Sequence, residues 1–380
     1  MKIMLVKDRN VLNTKFLAEF ANNLSAIGHD IHVVCDSYRK PGEGVVLDKK
    51  VNFTNLSAKT SNSLTNIYIQ LRKHLTVPSF RFQRLIIAEK PDVIICYFLI
   101  DLFNVCFLQK RAAPVILMMH NYPPAVFDKL KRKSKLRQRI YKKLIESVDA
   151  LQVLNASFEQ TIAPYYKAKQ IVTIGNTVVQ IPAENRADLT LEKKKIIYVG
   201  RIAKKGKRQH LLIEAFAKIA HKFPDWTVEF WGLEKYGAYK QELLDLIASH
   251  GLENNVFIRG YSHNIEDEYR KADINAFPSL HEGFGLGLAD GMAMGLSSIG
   301  FDYTPSVNEL IRDGKNGYLV SNMDGFANKL SLLMSGKELR IKLGNQAAED
   351  MKEFDPKRII AQWGQLIEET VESFQNMGCR

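Results

Sequence analysis

Short apolar runs alternate along the chain with longer stretches in which apolar positions recur at helical spacing. The runs read as buried strands and the stretches as amphipathic helices. Their alternation predicts parallel sheets built from βαβ units. In the first half, strands are expected at Lys2–Val6, Ile31–Cys35, Val93–Tyr97, Val115–Met119, Ala150–Leu154 and Ile171–Ile174. A helix over Phe16–Ile27 should stop at Gly28. In the second half, strands are expected from Ile196 to Gly200 and at Trp226–Trp231, Val256–Ile258, Ile274–Phe277 and Ser298–Phe301. Helices should cover Gln209–Ala220 and Lys240–Ser249, another should begin after Gly285, and a last one should run from Pro356 to Gln375. Between the halves, Val179–Lys195 is polar, contains Pro182 and ends in charge, so it reads as a linker. The pattern predicts two doubly wound α/β domains, residues 1–180 and 181–363. Such sheets bind ligands outside the carboxyl ends of their strands, and two facing crevices would form a cleft.

Composition fits this picture. The 380 residues suffice for two domains, and 46% hydrophobic with 25% charged residues is globular. The richest apolar stretch, Val93–Phe107, is interrupted by Asp101 and Asn104, so no membrane span is expected. The start, MKIMLVKDRN, reads as a first strand rather than a signal peptide. Cys35, Cys96, Cys106 and Cys379 show no paired C-x-x-C spacing, so zinc is not expected and a reducing cytoplasm is.

Charge changes the picture in one place. The net charge is +12, yet residues 1–180 hold 27 Lys and Arg against 13 Asp and Glu, so the excess belongs to the first half. It peaks at Lys129–Lys143, where Leu136, Ile140 and Leu144 recur four apart beside Tyr141. This reads as a basic amphipathic helix: either a solvated charged face or a surface for anionic lipid headgroups. No zinc finger, RNA-binding aromatic signature or helix-turn-helix spacing accompanies it, so nucleic acid is not an expected partner.

Candidate chemistry gathers at strand ends. The segment His281-Glu-Gly-Phe-Gly-Leu-Gly-Leu-Ala-Asp290 joins an acid, a glycine turn, a helix start and a second acid. Glycine lets backbone approach a ligand, and a helix start offers N–H groups and positive potential to an anion. Glu282 and Asp290 can each accept from sugar hydroxyls, so a phosphate-bearing ligand with two hydroxyl-rich ends fits, as a nucleotide-sugar does. In Val199-Gly-Arg-Ile-Ala-Lys-Lys-Gly-Lys207, a strand ends at glycine and cations follow, suited to a diphosphate or simply a basic surface loop. It is not a Walker loop. His120 closes the strand Val115–Met119 and would orient a hydroxyl or serve a structural turn. Ile258-Arg259-Gly-Tyr261 would line a base pocket or merely leave its strand.

Together these residues resemble the glycosyltransferases of family 4, which have the GT-B fold, and the resemblance spans nearly the whole chain. IIYVGRIAKKGKRQHLLIEAFAKI is similar to the family's strand, Gly-Arg, loop, Lys, helix segment, and NAFPSLHEGFGLGLADGMAMG to its Glu-x7-Glu motif. PVILMMH resembles the strand that delivers a cleft histidine, and IGNTV, with Asn176, the segment closing the first domain. The resemblance implies that Arg201 and Lys207 bind the donor diphosphate. Lys207 is preferred to Lys204 and Lys205 by its spacing from the Leu-Leu-Ile-Glu-Ala run. It implies that Glu282 meets the sugar, that amides near Phe284, Gly285 and Leu286 meet its phosphate end, that Asp290 meets the ribose, and that Gly283 belongs to the donor-binding set. His120 joins Glu282, Arg201 and Lys207 as catalytic candidates, and Arg259 and Tyr261 join the donor-binding set. The C-terminal helix, about residues 364–380, would cross back to the first domain. Two departures stand out. The second acid is Asp290 rather than Glu, and the loop Asp8–Phe16 lacks the paired glycines common after the first strand.

The resemblance implies a retaining transfer of a hexose from a nucleotide-diphosphate sugar, with UDP the expected nucleotide. The acceptor would be a glycan or lipid-linked glycan of a bacterial surface polysaccharide, such as capsule or lipopolysaccharide. No cofactor is expected, and the absence of D-x-D makes a metal unexpected. The location would be cytoplasmic, at the inner face of the plasma membrane. Other classes on the same fold are a non-catalytic partner subunit and a nucleotide-sugar epimerase. A phosphorylase would need a pyridoxal-phosphate lysine site, which the sequence does not show.

Overall fold

The computed structural model describes residues 1–7, 15–35, 46–56, 80–106, 112–163, 167, 169–234 and 237–378. Most of the loop Asp8–Phe16, and Cys379, lie outside these residues. Two compact units emerge: Met1–Gly175 with Lys357–Arg380, and Asn176–Pro356.

The first unit holds a parallel sheet of β1 (Lys2–Lys7), β2 (Asp30–Cys35), β3 (Asn52–Asn55), β4 (Val93–Cys96), β5 (Val115–Met119), β6 (Ala150–Val153) and β7 (Ile171–Thr173). Its order is β3-β2-β1-β4-β5-β6-β7. The second holds β8 (Lys195–Val199), β9 (Thr227–Trp231), β10 (Val256–Gly260), β11 (Ile274–Phe277), β12 (Ser297–Phe301) and β13 (Gly317–Val320), ordered β10-β9-β8-β11-β12-β13. Every strand pairing among the described residues is parallel. Inner strands covered by helices on both faces should be apolar throughout, and β4, β5 and β6 are buried along their whole length. In both sheets the order reverses once, between β1 and β4 and between β8 and β11. Those are the positions where loops from neighbouring strands part and leave a crevice.

The helix Lys15–Ala26 ends at Gly28, whose φ of +97° suits glycine alone. The C-terminal helix, Pro356–Gly378, belongs to the first unit from Lys357 onward and sets Trp363 edge-on against Phe20 at 4.9 Å. Two short edge strands, β3 and β13, were not expected from the pattern. The basic segment also differs from expectation. It is two helices, Pro123–Lys131 and Lys135–Ser147, not one. Ser134 caps the second by accepting from the Arg137 amide, and Gln138 Nε2 ties the break by donating to the Lys131 and Lys133 carbonyls. Leu144 and Ile145 are buried, while Leu136, expected on the apolar face, is exposed.

Candidate active site

β8 and β11 are neighbours at the second sheet's reversal, so the loops leaving their carboxyl ends open side by side. The first loop carries Arg201 and Lys207, the second His281 and Glu282. Three contacts join them. The Leu280 amide donates to the Gly206 carbonyl at 2.7 Å. The His281 ring lies on Gly206, where a Cβ would stand 3.2 Å from its Nε2. Gly206 also has φ +92°, so it meets both demands as glycine. Lys207 Nζ donates to both carboxylate oxygens of Glu282, at 2.6 Å each. The pair is largely dry, with side chains 17% and 7% exposed. Burial lowers the His281 pKa against the pull of Glu282, so this ring is neutral near pH 7.

Beyond Glu282 the glycine turn is pinned from behind. Phe284 is buried, edge-on to Phe354 at 5.0 Å. Gly285, at φ +94°, caps the helix Leu286–Ala293, and the Leu288 and Ala289 amides turn back to its carbonyl. Gly287 is forced by close approach: a Cβ there would stand 2.1 Å from the Val199 carbonyl oxygen. The helix start therefore rests on the end of β8, above the sheet reversal. Tyr269 Oη donates to the Gly287 carbonyl at 2.7 Å and fixes that seat. Leu286 and Asp290 stand four apart on one helix face, Leu286 exposed and Asp290 half-buried.

The structure thus gathers Lys207, Glu282, Gly283, Phe284, Gly285, Leu286 and Asp290 at one end of the sheet. Arg201 opens the β8 loop with an exposed side chain, its carbonyl accepting from Gln209 Nε2 at 2.8 Å. Arg259 and Tyr261 stand farther off, at the edge strand β10, with β9 between it and β8. Arg259 stacks on Phe257 and donates to Glu229 at 2.9 Å. Burial pushes the Glu229 carboxyl up, but hydrogen bonds from Arg259 and Lys195 outweigh it and hold it below its ordinary value. Tyr261 is 60% exposed, edge-on to His263.

In the first unit, His120 follows β5 and packs against Phe16 and Tyr97, with ring centroids 4.5 and 5.0 Å away. Part of the residue reaches the surface, but its Nε2 is enclosed and has no hydrogen-bond partner among the described residues. Burial first, and then the nearby Lys7 charge, lower its pKa to about 3, with Gln152 acting in the opposite sense. A ring neutral at physiological pH can accept a hydroxyl hydrogen bond but cannot donate a second proton. Lys7 was not singled out in the sequence. It ends β1, is buried, and sets its ammonium 4.4 Å from the Tyr97 ring centroid. Burial lowers its pKa to about 8, against the attraction of Asp101. Its only sequence signal is a lysine closing an apolar strand.

Chemically, the second unit presents cations and a helix start to an anion, beside two acids suited to hydroxyls. Comparison with known proteins gives the family. The model described as glycosyl transferases group 1 matches residues 182–350, and that described as glycosyltransferase family 4 matches residues 14–179. A glycosyltransferase of Haemophilus influenzae without assigned substrate is 24% identical over 352 residues, covering 91% of this chain and 93% of its own. The N-acetylgalactosamine-N,N'-diacetylbacillosaminyl-diphospho-undecaprenol 4-alpha-N-acetylgalactosaminyltransferase of Campylobacter jejuni is 30% identical over 196 residues. That match spans 51% of this chain and half, 50%, of the relative. The crystal structure of Anabaena HepE in complex with UDP and glucose shares the fold, with a TM-score of 0.75 at 19% identity, covering 97% of this chain and 100% of that one. With one model on each half and a two-sheet GT-B fold, the chain belongs to the family 4, group 1 glycosyltransferases.

Proposed function

We propose that this glycosyltransferase moves a hexose from a UDP-sugar, with retention at the anomeric carbon, onto a glycan or lipid-linked acceptor of a bacterial surface polysaccharide. The observation that carries the reading is the Lys207–Glu282 contact beneath the Gly285 helix cap. It sets an ammonium group suited to a diphosphate beside a carboxylate suited to hydroxyls, which supports a sugar diphosphate as ligand. The bound UDP and glucose of the HepE structure support the donor, and the diphospho-undecaprenol in the Campylobacter relative's name supports a lipid-linked acceptor.

In this reading, Arg201 and Lys207 neutralise the leaving diphosphate, and amides near Phe284–Leu286 hold its sugar-proximal phosphate. Glu282 fixes sugar hydroxyls, Asp290 the ribose, and Arg259 and Tyr261 the base. The bond from the anomeric carbon to the diphosphate breaks while the acceptor oxygen bonds on the same face. The acceptor proton passes to the departing diphosphate, and neutral His120 accepts from a sugar or acceptor hydroxyl. With protein cations beside the diphosphate, transfer should persist in a chelator, and a strict divalent requirement would contradict this. The location is the cytoplasmic face of the membrane, held by the basic helices of the first unit.

The test is slow hydrolysis across a panel of UDP- and GDP-sugars. Glu282→Ala and Arg201→Ala should each lower the rate by about 100-fold or more. Unchanged rates in both would remove the proposed donor site.

A further inference from the structure

A third loop, Asp302–Ser306 after β12, lies against the Glu282 loop and has no role in the reading so far. Ser306 stands at φ +71° and ψ −39°, a backbone region that residues with a Cβ rarely enter. It is 1% exposed. Its Oγ donates to the Gly283 carbonyl at 2.9 Å and lies 3.2 Å from the Glu282 carbonyl. Two residues earlier, buried Thr304 donates through Oγ1 to the Ser279 carbonyl at 2.6 Å. Two hydroxyls of one turn therefore grip both ends of the segment Ser279–Gly283.

A trans peptide points its C=O and N–H in opposite directions. Tying the Glu282 and Gly283 carbonyls to Ser306 therefore turns the Gly283 and Phe284 amides away from it. Glycine would occupy this backbone conformation without strain. A serine there gives the hydroxyl a purpose that the fold alone does not.

We propose that Ser306 is a positioning residue for sugar transfer: its hydroxyl locks the two peptide planes after Glu282, so that the Gly283 and Phe284 amides and the Glu282 carboxylate hold their direction toward the donor. This rests on the sugar-nucleotide reading above. The lock matters most when Lys207 moves its bonds from Glu282 to the diphosphate, because Glu282 then loses its side-chain anchor. Ser306 acts on the transferring sugar and not on nucleotide affinity.

The experiment compares Ser306→Gly and Ser306→Ala with the wild-type full chain, in hydrolysis of UDP- and GDP-sugars and in binding of the free nucleotide diphosphate. Ser306→Gly keeps the backbone shape and removes the hydroxyl. Its melting temperature should stay within about 2 °C of wild type or rise. Its kcat should fall about 10-fold or more, with KM and nucleotide Kd within about 2-fold. Ser306→Ala should show the same split. Wild-type kcat in both variants, or losses of kcat and melting temperature in strict parallel, would overturn the positioning role. If the wild-type chain hydrolyses none of the sugars and binds no nucleotide, the donor reading falls and this inference with it. If Glu282→Ala is inactive while both Ser306 variants match wild type, only the positioning role falls.

Discussion

Lys207 Nζ spans both oxygens of Glu282 with little water around either group, so removing one partner strands the other. Breaking a fully buried pair from one side costs about 3–5 kcal/mol. The residual exposure of Lys207 lowers the expectation to about 1–3 kcal/mol for Lys207→Ala or Glu282→Ala, read by urea unfolding. The double variant should lose less than the two single losses combined, by about 1 kcal/mol, because the second truncation removes a group already stranded. Strict additivity would show that the contact contributes nothing. At this scale the sequence was partly readable. Glu282 stands out because an acid beside Gly-Phe-Gly and a helix start is a rare combination. Its bond to Lys207 spans 75 residues and leaves no periodic trace. Ser306 is less visible still, since a hydroxyl bonded to distant carbonyls and a positive φ have no local pattern.

Elements were legible where the apolar pattern is strong, as in β1, β5, β11 and the helix Lys15–Ala26, and obscure at two sheet edges, where polar residues or a leading glycine interrupt the apolar run. β3 has only four residues, Asn52–Asn55, at a sheet edge, and β13 opens on Gly317, whose absent Cβ makes room for the Ser298 carbonyl. The glycines at positions 287, 291 and 295 stand four apart in the sequence, and the structure gives each a different task. Gly287 admits the Val199 carbonyl, and Gly291 admits Asn275 and Tyr269. Gly295 ends the helix at φ +87°, with Leu296 N bonded to Gly291 O and Gly295 N to Met292 O. Gly287→Ala must push backbone against backbone, so it should destabilise the second unit by about 3 kcal/mol or more in chemical denaturation, a loss under 1 kcal/mol contradicting the packing. The two basic helices carry a separate prediction. Lys131, Arg132, Lys135 and Arg139 are all exposed, and Leu136 stands out among them at 67% exposure. Each cation near an anionic bilayer contributes about 1 kcal/mol, so changing the four to Glu should lower partition onto anionic vesicles by about 1,000-fold or more at low salt. Equal binding before and after would leave these cations as a solvated face.

Across the whole molecule, charge is carried differently from what net composition suggests. The net charge of +12 counts every histidine as neutral, and burial holds several of them neutral to lower pH than usual. Among the described residues, five histidines, His29, His32, His120, His210 and His281, have their pKa lowered, in each case first by burial. Below about pH 6.5 the unfolded chain binds protons that the folded chain refuses, so stability must fall as pH falls. The slope is about 1.4 kcal/mol per pH unit for each histidine that is protonated only when unfolded. His120, lowered to about 3, stays in that state through the whole range from 6.5 to 4.5, above the region where most carboxylates begin to protonate. His120→Asn removes the titration and keeps a polar planar side chain. The stability difference between wild type and this variant, from denaturant midpoints at pH 7.5 and pH 5, should shift by about 2 kcal/mol against the wild type. Parallel pH curves would mean that the ring is protonated in the folded state. A protonated ring would also place an inflection near pH 6.5 in the transfer rate, whereas a ring neutral to about pH 3 leaves the acid limb of that profile to other groups.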